Sequence, residues 1–217
     1  MAQTVYVFDA FGTLFDVHAA VRKHASEIGP DASLLSEIWR QKQLEYSWVR
    51  TLMGSYRDFW SITEDALDYA FEKLPEANRD TRDQVLASYR ELEAFSEVRD
   101  VLGCLKANGA RTGILSNGSP QMLDAAVGSA GLKDVLDELI SVHELKVFKT
   151  REETYDLVCT RFRVFPEAVS FQSSNRWDIA GASKFGFHTV WINRTGQPDE
   201  YSDHPPAMQL QDLNGLL

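Results

Sequence analysis

The chain has 217 residues, 44% hydrophobic and 25% charged, enough apolar material for a packed core in one domain or in a domain carrying a large insertion. A formal net charge of -10 argues against a nucleic-acid partner and leaves any small anionic substrate to be held by local positive groups. No apolar run is long enough for a transmembrane segment, Met1-Ala2-Gln3-Thr4 does not read as a signal peptide, and Cys104 and Cys159 show no metal-ligand spacing; the expectation is a cytoplasmic protein with reduced thiols.

Thr4-Val5-Tyr6-Val7-Phe8 predicts a buried strand that ends at Asp9 and runs into the turn-rich Ala10-Phe11-Gly12-Thr13. From about Val17 to Leu92 the pattern is helical. In one stretch Ile38, Lys42, Glu45 and Val49 lie on a different face from Leu44, Trp48 and Leu52; Phe59, Ile62, Ala66, Tyr69 and Ala70 mark another amphipathic helix. After Phe95-Ser96-Glu97 strands and helices alternate. The strand Thr112-Gly113-Ile114-Leu115 ends at Ser116-Asn117-Gly118, and Leu139-Ile140-Ser141-Val142 is the next candidate. Ala168-Val169-Ser170-Phe171 ends at Ser173-Ser174-Asn175, and Thr189-Val190-Trp191-Ile192 ends at Asn193-Arg194. This alternation predicts an α/β fold, a Rossmann-like doubly wound parallel sheet, with ligands outside the carboxyl ends of its strands. The expected division is a catalytic core from 1–15 and 96–217, interrupted by a helical cap subdomain at 16–95.

Four features could carry chemistry, and each has a plainer reading. Asp9, at a strand end before a glycine turn, is a candidate nucleophile or an acid that caps a turn. Ser116-Asn117-Gly118-Ser119-Pro120 could hold an anion or could simply start a helix. Lys149, expected at the end of a strand through Val147-Phe148, could face the site or solvent. Asp178 could be a second carboxylate in the cleft or a first-turn acid favoured by the helix dipole.

Taken in order, Asp9, Ser116-Asn117, Lys149 and Asp178 resemble the signature of the haloacid dehalogenase superfamily. The longer matches Asp9-Ala10-Phe11-Gly12-Thr13-Leu14-Phe15-Asp16-Val17, Trp39-Arg40-Gln41-Lys42-Gln43-Leu44-Glu45-Tyr46, Ser173-Ser174-Asn175-Arg176-Trp177-Asp178 and Trp191-Ile192-Asn193-Arg194-Thr195-Gly196 narrow the resemblance to its L-2-haloacid dehalogenases. That resemblance implies hydrolytic dehalogenation of short (S)-2-haloalkanoic acids to (R)-2-hydroxy acids through an aspartyl ester on Asp9. It implies Lys149 between Asp9 and Asp178, with Thr13, Ser173 and Asn175 orienting them. Arg40 and Asn117 would stand near the halide, Ser116 and backbone amides at Ala10 and Phe11 at the substrate carboxylate, and Phe11, Gln41, Leu44, Phe59 and Trp177 around the alkyl portion. Tyr155 would support Lys149 or the substrate carboxylate. No metal or cofactor is expected, and a homodimer is.

The alternative is a small-molecule phosphatase of the same fold. Such relatives carry a second Asp two residues after the nucleophile and bind magnesium; here that position is Phe11, and the last loop offers Asn175 before Asp178. The five histidines, His18, His24, His143, His188 and His204, have no metal-ligand spacing. Three departures from the family pattern stand out: Thr150 after Lys149, Arg176 for a small residue, expected to add charge at the cleft mouth, and Gln172 for an apolar one.

Overall fold

The computed structural model describes residues 4–217, so most of the expectation resting on Met1-Ala2-Gln3-Thr4 lies outside the described residues. Six parallel strands form one sheet in the order β3-β2-β1-β4-β5-β6: β1 (Val5–Phe8), β2 (Arg111–Ser116), β3 (Glu138–Ser141), β4 (Val169–Ser173), β5 (His188–Ile192) and β6 (Met208–Leu210). Strands buried on both faces need no alternation of polar and apolar residues, which is why β1 and β4 read as near-continuous apolar or small runs. The chain lays β2 and β3 to one side of β1 and then returns to lay β4, β5 and β6 to the other. That reversal leaves a crevice at the carboxyl ends of β1 and β4, whose register pairs Phe8 with Gln172, one residue before Asp9 and Ser173.

Helices α1 (Ala19–Lys23), α2 (Ala25–Ile28), α3 (Ala32–Met53), α4 (Phe59–Lys73) and α5 (Arg82–Arg90) follow β1, and α3 packs chiefly on α4. The remaining helices, α6 (Val98–Ala107), α7 (Pro120–Ser129), α8 (Glu152–Phe162) and α9 (Arg176–Phe185), flank the sheet. Local chemistry sets several boundaries. Asp58 caps α4 by accepting from the Ser61 amide at 3.1 Å, and Ser119, followed by Pro120, caps α7 by accepting from Met122. The two connections between the first five helices and the sheet run side by side, with Phe95 N donating to Leu14 O at 2.9 Å and Asp16 N to Glu93 O at 3.1 Å. Arg194 ties this junction down: it donates to Thr13 O at 2.9 Å and pairs with Glu97 at 2.7 Å.

The structure adds to or departs from the sequence expectations at several places. The strand β6 is additional. Val142 belongs to a 3₁₀ turn and not to β3. Lys149 does not end a strand; it sits in the turn before α8, buried to 1% exposure. The face of α3 carrying Leu44, Trp48 and Leu52 is not the core face: Ala32, Leu35, Ser36, Trp39, Gln43 and Ser47 are buried, and Leu52 is 87% exposed. Arg176 adds no charge at a cleft mouth. Its guanidinium is buried, donating to Asp199 at 2.5 Å and to the carbonyls of Tyr201 and His204, because the incoming segment before β6 folds over it. Gln172 is fully buried but satisfied, its amide nitrogen donating to Val7 O at 3.0 Å and its oxygen accepting from Ser170 Oγ. Among the described residues no helix is long and apolar enough to cross a membrane.

Candidate active site

Asp9 follows β1 directly. The next residues close a tight loop in which Leu14 and Phe15 amides donate to Ala10 O and Gly12 N donates to Phe15 O. The loop needs a left-handed residue, and Gly12 supplies it at φ +94°. This turn aims the Asp9 carboxylate into the crevice with little solvent contact, 6% exposed. Its Oδ2 accepts from Thr13 Oγ1 at 3.1 Å and Asn175 Nδ2 at 2.8 Å; its Oδ1 accepts from Lys149 Nζ at 3.1 Å. Thr13 is fixed in turn by the Ser174 amide, and Ser173 Oγ accepts from the Asn175 amide.

Lys149 Nζ makes three bonds: to Asp9, to Asp178 Oδ2 at 2.8 Å and to Leu115 O at 2.7 Å. An ammonium offers three N–H groups, so all are used. Burial alone would lower the Lys149 pKa, but the charges of Asp178 and Asp9 outweigh it and raise it. Burial pushes the Asp178 carboxyl up to about 6, with Lys149 opposing and Asp9 adding to the rise. Asp178 is therefore at once a first-turn residue of α9 and a buried carboxylate in the site. The Lys149-Thr150 peptide is cis.

The wall beside Asp9 is aromatic. The Phe11 ring stacks on Tyr89 at 5.8 Å and lies 6.4 Å from Phe59, which in turn meets Phe148 at 5.7 Å. Phe11 also presses on Gly118, where an added Cβ would lie 2.6 Å from the ring, so glycine is required there by close approach. The amides of Ala10 and Phe11 donate to no protein acceptor among the described residues. Ser116 Oγ accepts from the Gly118 amide at 3.0 Å, which leaves its own hydrogen to donate. Asn117 Oδ1 accepts from the Lys149 amide at 3.0 Å, fixing that side chain with its N–H groups available.

From α3, Arg40 reaches the same place, donating to Phe11 O at 3.0 Å and to Asn175 Oδ1 at 3.5 Å. Trp48 of α3 meets Trp177 of α9 edge-on at 5.4 Å. The structure thus brings together Asp9, Thr13, Lys149, Asp178, Ser173, Asn175, Phe11, Phe59 and Arg40, with Ser116 and Asn117 beside them. Leu44 and Trp177 are half-buried. Gln41 is exposed, because it follows Arg40 on α3 and projects about 100° around the helix from it. Tyr155 does not line the crevice: it is fully buried behind Asp178, donating to Asp178 Oδ1 at 2.8 Å. Three neighbours were not anticipated: Tyr89, Gln43 and Trp48. Of these only Gln43 lies within the motif at 39–46, and nothing in the sequence marks it as buried. Among the described residues no group of three His, Cys, Asp or Glu side chains is arranged to hold a metal ion.

A doubly wound parallel sheet with a carboxylate at the end of its first strand, and a buried ammonium joining it to a second, defines a class of hydrolase. The chain belongs to the haloacid dehalogenase-like hydrolase family, whose model matches residues 4–186. It is 50% identical to (S)-2-haloacid dehalogenase 1 of Pseudomonas sp. (strain CBS-3), over 97% of this chain and 93% of that protein. A solved dehalogenase structure with an intermediate complex superposes with a TM-score of 0.97 at 44% identity, covering 99% of this chain and 96% of that one. The L-2-haloacid dehalogenase of Xanthobacter autotrophicus with chloropropionic acid covalently bound gives a TM-score of 0.90 at 34% identity, covering 99% and 96%.

Replacing Lys149 leaves two carboxylates facing each other in a buried site, which typically costs about 3–5 kcal/mol. Lys149→Met is expected to lower the thermal unfolding temperature most at pH 8. An acid whose pKa is raised by folding binds more protons folded than unfolded, so stability returns as pH falls through the raised Asp178 pKa. An unfolding temperature in Lys149→Met that stays at the wild-type level across pH would contradict this account.

Proposed function

We propose that the protein is an (S)-2-haloacid dehalogenase that converts short (S)-2-haloalkanoic acids to (R)-2-hydroxy acids. The observation that carries this reading is the Asp9 carboxylate held by Thr13, Asn175 and Lys149 against an aromatic wall. A carbon–halogen bond gains little from proton donation, so the site must bring carboxylate and carbon together in line and keep water away. An oxygen of Asp9 attacks C2 as the C–X bond breaks, the bond pair leaves with the halide, and C2 inverts. Ser116 and the amides of Ala10 and Phe11 hold the substrate carboxylate, while Arg40 and Asn117 receive the halide. Water then attacks the ester carbonyl of Asp9, giving its proton to Asp178. The hydroxy acid leaves with an oxygen from Asp9, protonated in turn from Asp178.

The five helices at 16–95 act in this scheme as a cap, supported by Arg40 and Trp48, which reach across to Phe11 O and Trp177. The phosphatase reading loses ground at Phe11, whose ring replaces the general acid, and at Lys149, whose ammonium already engages both Asp9 and Asp178. The unpaired thiols of Cys104 and Cys159 favour a cytoplasmic setting.

Solvent ¹⁸O tests the covalent step. In a single turnover with excess enzyme on (S)-2-chloropropionate, label is expected in Asp9 and not in lactate; label entering lactate directly would exclude an aspartyl ester. Because hydrolysis requires ionised Asp178, its rate is expected to fall as pH drops through about 6. Tyr155→Phe removes an O–H that favours the carboxylate, so the acidic limb should move to higher pH; a limb that stays put would remove Asp178 from the step.

We also propose a homodimer built on the outer face of α3, supported by exposed Leu34, Val49, Leu52 and Met53. Leu52→Glu is expected to convert a dimer into monomers in sedimentation velocity, and an unchanged sedimentation coefficient would place the contact elsewhere.

A further inference from the structure

Arg40 is a half-buried cation whose hydrogen bonds, among the described residues, reach no carboxylate. Its acceptors are neutral: Gln43 Oε1 at 2.7 Å, Phe11 O at 3.0 Å and Asn175 Oδ1 at 3.5 Å. Gln43 is 1% exposed, and a chain of hydrogen bonds fixes which end of its amide faces Arg40. Thr63 spends its hydroxyl hydrogen on Phe59 O at 2.7 Å, so towards Gln43 it can only accept. Gln43 Nε2 donates to that Thr63 oxygen at 2.7 Å and lies 3.2 Å from Tyr89 OH. Its Oε1 is thereby turned to the guanidinium. A flipped amide would set N–H against N–H and leave two buried groups without partners.

We propose that Gln43 is a positioning residue: a neutral acceptor of fixed polarity that aims the Arg40 guanidinium at the departing halide without neutralising it. A carboxylate in the same place would orient Arg40 equally well and consume the charge that the leaving anion needs. The inference rests on the reading of the chain as a dehalogenase in which Arg40 meets the halide. It adds a residue that touches no reacting atom and acts through Arg40.

The test is single-turnover kinetics on (S)-2-chloropropionate with Gln43→Glu and Gln43→Met, following chloride release and ester hydrolysis separately, together with inhibition by bromide. Gln43→Glu keeps the side-chain shape and adds the counter-charge. It is expected to slow chloride release about a hundredfold, the scale of losing one stabilising donor at a developing anion. Bromide inhibition should weaken, while ester hydrolysis keeps its wild-type rate. Gln43→Met removes the acceptor without adding charge and should slow chloride release less than Gln43→Glu; if the glutamate variant does not fold, the methionine variant must still slow release selectively. Equal slowing of both steps would assign Gln43 a merely structural role, and unchanged chloride release with unchanged bromide inhibition would overturn the proposal. Should the wild-type enzyme itself release no chloride, the dehalogenase reading falls and this inference with it.

Discussion

An ammonium with no solvent contact is costly unless every N–H finds an oxygen, and Lys149 meets that demand with two carboxylates and one carbonyl. The bonds draw on four separate pieces of chain: the end of β1, the end of β2, the turn before α8 and the first turn of α9. None of these can shift by an ångström without leaving a buried charge short of a partner. The arrangement explains why two acids can face each other at the crevice of a parallel sheet. It also explains why Tyr155, with no reach into the crevice, matters: its O–H occupies the Asp178 oxygen that Lys149 does not.

Around this charged centre the sheet supplies precision and the helices supply dryness. Asp9 is held by strand ends and short turns, where backbone pairing leaves little freedom. The aromatic contacts of Phe11 come from Phe15 on its own loop and from Phe59 and Tyr89 on α4 and α5. A carboxylate stripped of water is a stronger nucleophile towards an sp³ carbon than a hydrated one, and the apolar wall would be wasted on a phosphoryl group, whose charge needs polar or metal partners throughout.

The fold was largely legible because its strands are apolar runs punctuated by polar turns, and because Asp9, Ser116 and Ser173 fall at those punctuation points. What escaped had physical reasons. Three mostly exposed residues, Met208-Gln209-Leu210, carry no strand pattern of their own and pair only because β5 offers an edge. Periodicity does not give the core face of α3, because its buried side includes Ser36, Gln43 and Ser47, polar groups that such an argument sends to solvent. Val147-Phe148 suggests a strand ending at Lys149, but it is the partner charges, distant in sequence, that hold Lys149 buried. Arg176 likewise looked like surface charge, and only the folded chain shows Asp199 and two carbonyls waiting for it. Long-range charge pairing leaves no local trace, so the residues that carry it are found by motif or not at all.

The two cations of the site differ in a way that bears on catalysis. Lys149 is matched by full negative charges in the resting state, so its electrostatic effect is already spent on holding Asp9 and Asp178 in place. Arg40 hydrogen-bonds only to neutral acceptors. Interactions that strengthen between ground state and transition state lower a barrier, whereas those already complete do not. In halide displacement the charge that grows is on the leaving atom, far from the carboxylate that loses it. In the proposed reaction, a cation held by neutral oxygens on the helical side of the crevice, opposite a cation saturated on the sheet side, would set up the field along which negative charge moves from Asp9 to the halide.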